Sequence, residues 1–173
     1  HNRSTDAAYM AAYATYLAGF DGSSIPKANN DFWNLNRNGV GTTPHVMFGY
    51  YNNIVDACED YVEANPNTPL IPLVDFNGKE ITDSIALWNE FGNILHGVRL
   101  DTHGGRYAEG CSENYNVAMA YVKEKLGKDF VKFFQSGTNF VNYLKYATGK
   151  GVTIESVLRL REALDNVGAN NVK

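Results

Sequence analysis

Apolar residues recur every three or four positions in a series of separate stretches, most of them opening behind a Ser, Thr, Asp or Asn and closing at a Gly, Asn or Pro. That spacing puts the apolar side chains on one face of an α-helix, and the flanking residues cap or stop the helix ends. The sequence therefore reads as a row of short amphipathic helices. None can bury its apolar face alone, so they must pack on one another.

Ser4, Thr5 or Asp6 caps the first stretch, whose Tyr9, Tyr13, Tyr16 and Leu17 share a face up to Gly19 and Gly22. From Asp21 to Thr43, Gly, Asn, Ser and Pro accumulate without a sustained period, which predicts a long loop carrying Phe32 and Trp33. Thr43-Pro44 opens a second stripe of Met47, Tyr51, Ile54, Cys58 and Tyr61 or Val62, ending at Asn65-Pro66. The run PLIPLVDF, the turn Asn77-Gly78 and a short return KEIT predict a strand and hairpin. Thr82 or Asp83 then caps a helix bearing Ile85, Trp88, Phe91 and Leu95, which Gly97 stops, placing His96 in its last turn.

VRLDTH, residues 98–103, alternates as a strand does. Ser112 caps a helix with Tyr115, Ala118, Met119, Val122 and Leu126 on one side. A helix interrupted at Ser136-Gly137-Thr138 is expected over 129–149, and Thr153 caps the last, with Ile154, Val157, Leu158, Arg161 and Leu164 in register. Together these predict one globular domain over residues 1–173, mainly α with an α+β count. It is a bundle of five to seven helices with a small sheet of two or three strands from 69–82 and 98–103.

A chain of 173 residues can bury one core without staples. Its net charge of −4, with 15 scattered Lys and Arg, argues against a nucleic-acid partner, which needs clustered positive charge. No apolar run approaches the roughly 20 residues that span a bilayer, so no transmembrane segment is expected. Cys58 and Cys111 could be joined across a loop of about 50 residues, a bridge that loop-closure entropy values at roughly 4 kcal/mol. That pair, the many Asn and Tyr, and the glycan-acceptor triplet Asn2-Arg3-Ser4 point to a secreted or periplasmic location. Two free thiols would equally suit the cytoplasm.

Chemistry concentrates in LHGVRLDTHGGRYAEGC, residues 95–111. If VRLDTH is extended, Val98, Leu100 and Thr102 face one way, while Arg99, Asp101 and His103 face the other. Asp101 and His103 would stand about 7 Å apart, where a carboxylate can orient an imidazole. The glycines of the following loop allow Cys111 to return toward His103 at a helix start, a setting that favours thiolate. Cys111 as nucleophile, His103 as base and Asp101 as orienter form one candidate set. His96, His103 and Cys111 form another, around zinc. Arg99, Arg106, Tyr107, Glu109 and the distant Trp33 are candidate ligand-binding residues.

Two functions stay open from the sequence. The first is a soluble extracellular or periplasmic binding domain, with Cys58 and Cys111 bridged and a protein or small molecule as its partner. The alternative is a small hydrolase or transferase using Cys111, His103 and Asp101, or zinc at the same residues.

Overall fold

The computed structural model describes residues 5–34, 42–129 and 146–173. They fall into two compact units, one ending at Thr42 and one running from Thr43 to Lys173.

The first unit holds α1 (Thr5–Leu17) and α2 (Pro26–Trp33). The second helix corrects the expectation of a continuous loop after Asp21. Eight residues are too few to display a period, but Pro26 pre-sets the first turn and Lys27 pairs with Asp31 one turn on at 2.7 Å. The face of α1 read from the sequence meets this helix, with the Tyr9, Tyr13 and Tyr16 rings 5.0, 5.1 and 5.8 Å from the Phe32 ring.

The second unit contains α3 (His45–Phe48), α4 (Ile54–Ala64), α5 (Glu80–Phe91), a 3-10 turn (Gly92–Ile94), α6 (Tyr115–Leu126) and α7 (Ile154–Asn166). The fold is thus mainly helical, with seven α-helices among the described residues. The stripe from Met47 to Val62 is divided: Asn53 caps α4 by accepting the Asp56 N–H at 2.9 Å, which separates α4 from the short α3. Thr153 caps α7 in a reciprocal box with Ser156, and Asn114, rather than Ser112, caps α6. The helix expected over 129–149 lies largely outside the described residues, as does Asn2-Arg3-Ser4.

Where strands were expected, the described residues form only two isolated parallel bridges, Leu70 with Leu95 and Leu73 with Arg99. Backbone hydrogen bonds extend this pairing on both sides. Thr43 N–H donates to Ile71 O (3.2 Å), Arg99 N–H to Pro72 O (2.8 Å), Val74 N–H to Arg99 O (3.1 Å), and Val98 N–H to Lys173 O (2.9 Å). Residues 70–74 and 95–99 thus run side by side and parallel, with α5 between them in the chain, while Thr43 is bonded to the first and Lys173 to the second. Gly97 sits where this pairing is tightest, since a Cβ there would stand 2.8 Å from Lys173 O.

The hairpin is not formed, because KEIT is the first turn of α5. The cause is non-local. Ile81 and Thr82 N–H donate to the Glu109 carboxylate at 2.7 and 2.8 Å, so a side chain 28 and 27 residues away caps the helix where no local cap exists. At its other end α5 stops at Gly92, whose φ of +50° closes the helix before Leu95. The core lies between the extended segments and the helices, with Leu70, Leu73, Val74, Leu87, Leu95, Leu160, Leu164 and Val172 buried together with Ile54, Ala57 and Cys58.

Candidate functional site

The two apolar segments that carry the bridges hand over to polar residues at their carboxyl ends, Asp75 after PLIPLV and Asp101 to His103 after VRL, and His45 follows Thr43-Pro44 beside the first of them. In parallel α/β arrangements that end is where ligands bind, since the loops there are free to carry function while the apolar segments hold them in place.

The first constellation is a pair that sequence reading missed. His45 Nε2 lies 2.9 Å from Asp75 Oδ1, with the carboxylate 9% exposed and the imidazole 41%. A carboxylate only accepts, so Nε2 carries the proton and Nδ1 is the nitrogen left for other work. The two residues are 30 positions apart. The sequence signal for Asp75 is the apolar run PLIPLV before it and the helix start after it, whereas His45 is marked only by the Thr43-Pro44 helix start.

Arg99 and Asp101 form the neighbouring pair at 3.1 Å, both about half exposed. Burial alternates along this segment: Val98 and Leu100 are half-buried and Thr102 is buried, while Arg99, Asp101 and His103 are exposed. His103 Nδ1 accepts the Gly105 N–H at 2.9 Å, which turns the imidazole back over its own loop.

Beneath these pairs lies a buried anchor. Glu80, 1% exposed, accepts from Thr102 Oγ1 (2.8 Å), the Glu109 N–H (2.9 Å) and Arg106 Nη1 (2.7 Å). Desolvation pushes its pKa upward, but the bonds from Glu109, Thr102 and Arg106 outweigh burial and leave it below the usual carboxylate value. Arg106 also donates through Nη2 to Asp75 O at 2.5 Å and through Nη1 to Tyr107 O at 3.1 Å. Tyr107 is half-buried, with Lys150 Nζ 5.9 Å from its ring centroid. Arg106, Tyr107 and Glu109, expected as ligand contacts, are thus engaged in holding the loop.

The other expected residues are placed differently. His96 is not in a helix end but in the extended segment, its Nδ1 against Ile94 O at 2.8 Å. Cys58 is buried and Cys111 half-buried, and both are free, so the expected disulfide is absent. Desolvation, reinforced by the Glu155 charge, pushes the Cys111 thiol up to about 12, away from the thiolate that its helix-start position suggested. Among the described residues no three His, Cys, Asp or Glu side chains gather as a metal requires, so His96, His103 and Cys111 do not make the expected zinc set. Trp33 belongs to the first unit, its Nε1 bonded to Phe20 O at 2.6 Å. None of the helices among the described residues is long and apolar enough to cross a membrane.

No family model matches the sequence, and no curated protein matches it. The fold is similar to the crystal structure of nicotinate-nucleotide pyrophosphorylase from Pyrococcus furiosus, with a TM-score of 0.57 and 22% identity; the match covers 98% of this chain and 32% of that one. This chain therefore spans about a third of the protein whose fold it shares. The expectation of an extracellular binding domain is corrected here: nearly the whole chain takes the fold of part of an enzyme, and the disulfide that supported secretion is not formed.

Proposed function

We propose that this chain contributes to the site of a transferase that exchanges a nitrogen heterocycle for pyrophosphate on the ribosyl carbon of a nucleotide. The observation carrying this reading is the Leu73–Arg99 register, which sets Asp75, paired with His45, and Asp101, paired with Arg99, two residues beyond the same parallel bridge. The fold likeness to a nicotinate-nucleotide pyrophosphorylase supports this choice of chemistry. On this reading the extended segments are part of a small parallel sheet, and its carboxyl edge is the mouth of the site.

The exchange makes definite demands on the protein. The bond from the ribosyl carbon to the ring nitrogen breaks, its electron pair returning to that nitrogen, while a pyrophosphate oxygen forms the new bond to carbon. A pyridinium leaving as a neutral pyridine needs no proton. What must be supplied is charge: a fixed cation for the pyrophosphate and anions for the positive charge that develops on the ribosyl carbon. Arg99 is the cation, with Asp101 holding its guanidinium. Asp101 and Asp75 are the anions, and His45 Nδ1 is the hydrogen-bonding atom turned to the ligand.

The test is to supply the chain with nicotinate mononucleotide and pyrophosphate, following release of nicotinate and, separately, binding of pyrophosphate by calorimetry. Arg99→Ala is expected to weaken pyrophosphate binding about tenfold or more, the scale of a lost charged contact. Asp101→Asn is expected to lower turnover by about a hundredfold. Pyrophosphate binding equally tight in Arg99→Ala overturns the assignment.

A further inference from the structure

We propose that Arg106 is a positioning residue for the His45–Asp75 pair; the inference rests on the transferase reading for its kinetic consequence but not for its structural one. Asp75 is held at two points. Its carboxylate meets His45 Nε2 at 2.9 Å, and its carbonyl oxygen accepts both the Gly78 N–H at 3.3 Å and Arg106 Nη2 at 2.5 Å. The other end of the same guanidinium lies 2.7 Å from Glu80 Oε1. Glu80 is the immobile partner, almost wholly buried and bonded in addition by Thr102 and the Glu109 N–H.

The guanidinium therefore lies across the turn Asp75-Phe76-Asn77-Gly78, tying the carboxyl end of one extended segment to the first residue of α5. Gly78 closes on its flat face. A Cβ at that position would stand 3.7 Å from Arg106 Cζ and Nη1, and the Gly78 φ of +69° disfavours any side chain there. On the far side, Arg106 O accepts the Gly151 N–H at 2.8 Å, so the residue is fixed by its main chain as well. Two fixed ends and a rigid planar link leave the Asp75 backbone one position, and hence the carboxylate that sets the His45 ring one direction.

A lysine can keep the charge beside Glu80 but cannot reach Asp75 O as well, since an ammonium has no second arm. The informative variant is therefore Arg106→Lys, read first by long-range proton–nitrogen NMR of the His45 ring. The wild type is expected to hold a single tautomer with the proton on Nε2, and Arg106→Lys to populate both. Lys150→Ala, which removes a neighbour of the loop without touching Asp75, is expected to leave the ring unchanged. In the nucleotide exchange assay, Arg106→Lys is expected to lose about tenfold or more in kcat, with KM for pyrophosphate nearly unchanged, the mark of lost orientation rather than lost binding.

Should Arg106→Lys unfold, the double variant Glu80→Gln/Arg106→Gln removes both charges together, leaves neither buried without its partner, and is expected to show the same mixed tautomers. A single Nε2–H tautomer persisting in a folded Arg106 variant overturns the proposal. Absence of nucleotide exchange in the wild type counts against the transferase reading alone, because the tautomer signature is measured without substrate.

Discussion

Two buried glutamates occupy the first turns of two helices in the second unit, and they fare differently. Glu80 of α5 and Glu155 of α7 are both essentially sealed from solvent. The Glu80 carboxylate is bonded at both oxygens, Oε1 to Thr102 and Arg106 and Oε2 to the Glu109 N–H. Glu155 bonds through Oε1, which accepts the Ser112 N–H at 3.1 Å and Arg159 Nε at 3.0 Å, while Oε2 is buried with no hydrogen-bond partner among the described residues. Residues 102–109 surround the first carboxylate with donors from three directions. The second relies on one loop amide and on an arginine of its own helix, four residues on. A helix start favours a negative charge in either place, but only complete bonding turns a buried charge into an anchor.

The contrast predicts an order of effects. Glu80→Ala removes the partner of Arg106 and leaves three donors stranded, with an expected loss of about 3 kcal/mol in urea unfolding. Glu155→Ala is expected to cost well under that, since it also removes an unsatisfied oxygen; equal losses at the two positions would break the comparison.

Acid sharpens it. Because the folded Glu80 pKa is lowered, its stabilisation is complete above the unfolded value of about 4.5 and drains away as pH falls from there through the folded value. Wild-type melting temperature should therefore drop more steeply between about pH 5 and pH 3 than that of Glu80→Gln. A parallel pair of curves would mean that Glu80 titrates alike in both states. Thr102→Val deletes a single bond to the charged carboxylate, with about 1.5 kcal/mol expected in the same unfolding experiment. The smallest effect belongs to Glu155→Gln, expected to lie within about 1 kcal/mol of wild type and to be visible only as a slight shift of the urea midpoint.

The same contrast explains what could be read in advance. The apolar stripes of α4, α5, α6 and α7 are local and long, and the alternation of Val98 to His103 follows from an extended backbone. The fate of KEIT depended on Glu109, whose carboxylate caps α5 from the far side of the glycine loop, and no local pattern announces such a cap. For the site, residues 95–111 are polar and clustered in the sequence, but proximity in sequence overstates Cys111 and understates distance. His45 and Asp75 meet across 30 residues because adjacent segments pair side by side, and Arg106 works inward through Glu80 rather than outward to a ligand.

The turn that Arg106 spans also bears on how the protein ages. Asn77-Gly78 is the kind of dipeptide that deamidates spontaneously, when the glycine amide nitrogen attacks the asparagine side chain to form a succinimide. That nitrogen is here occupied, its hydrogen bonded to Asp75 O at 3.3 Å, and the guanidinium packed against Gly78 leaves the turn little room to rearrange. The folded protein should keep Asn77 intact over days in which the unfolded chain loses it, so the isoaspartate content of a stored sample records how much of its life that turn has spent open.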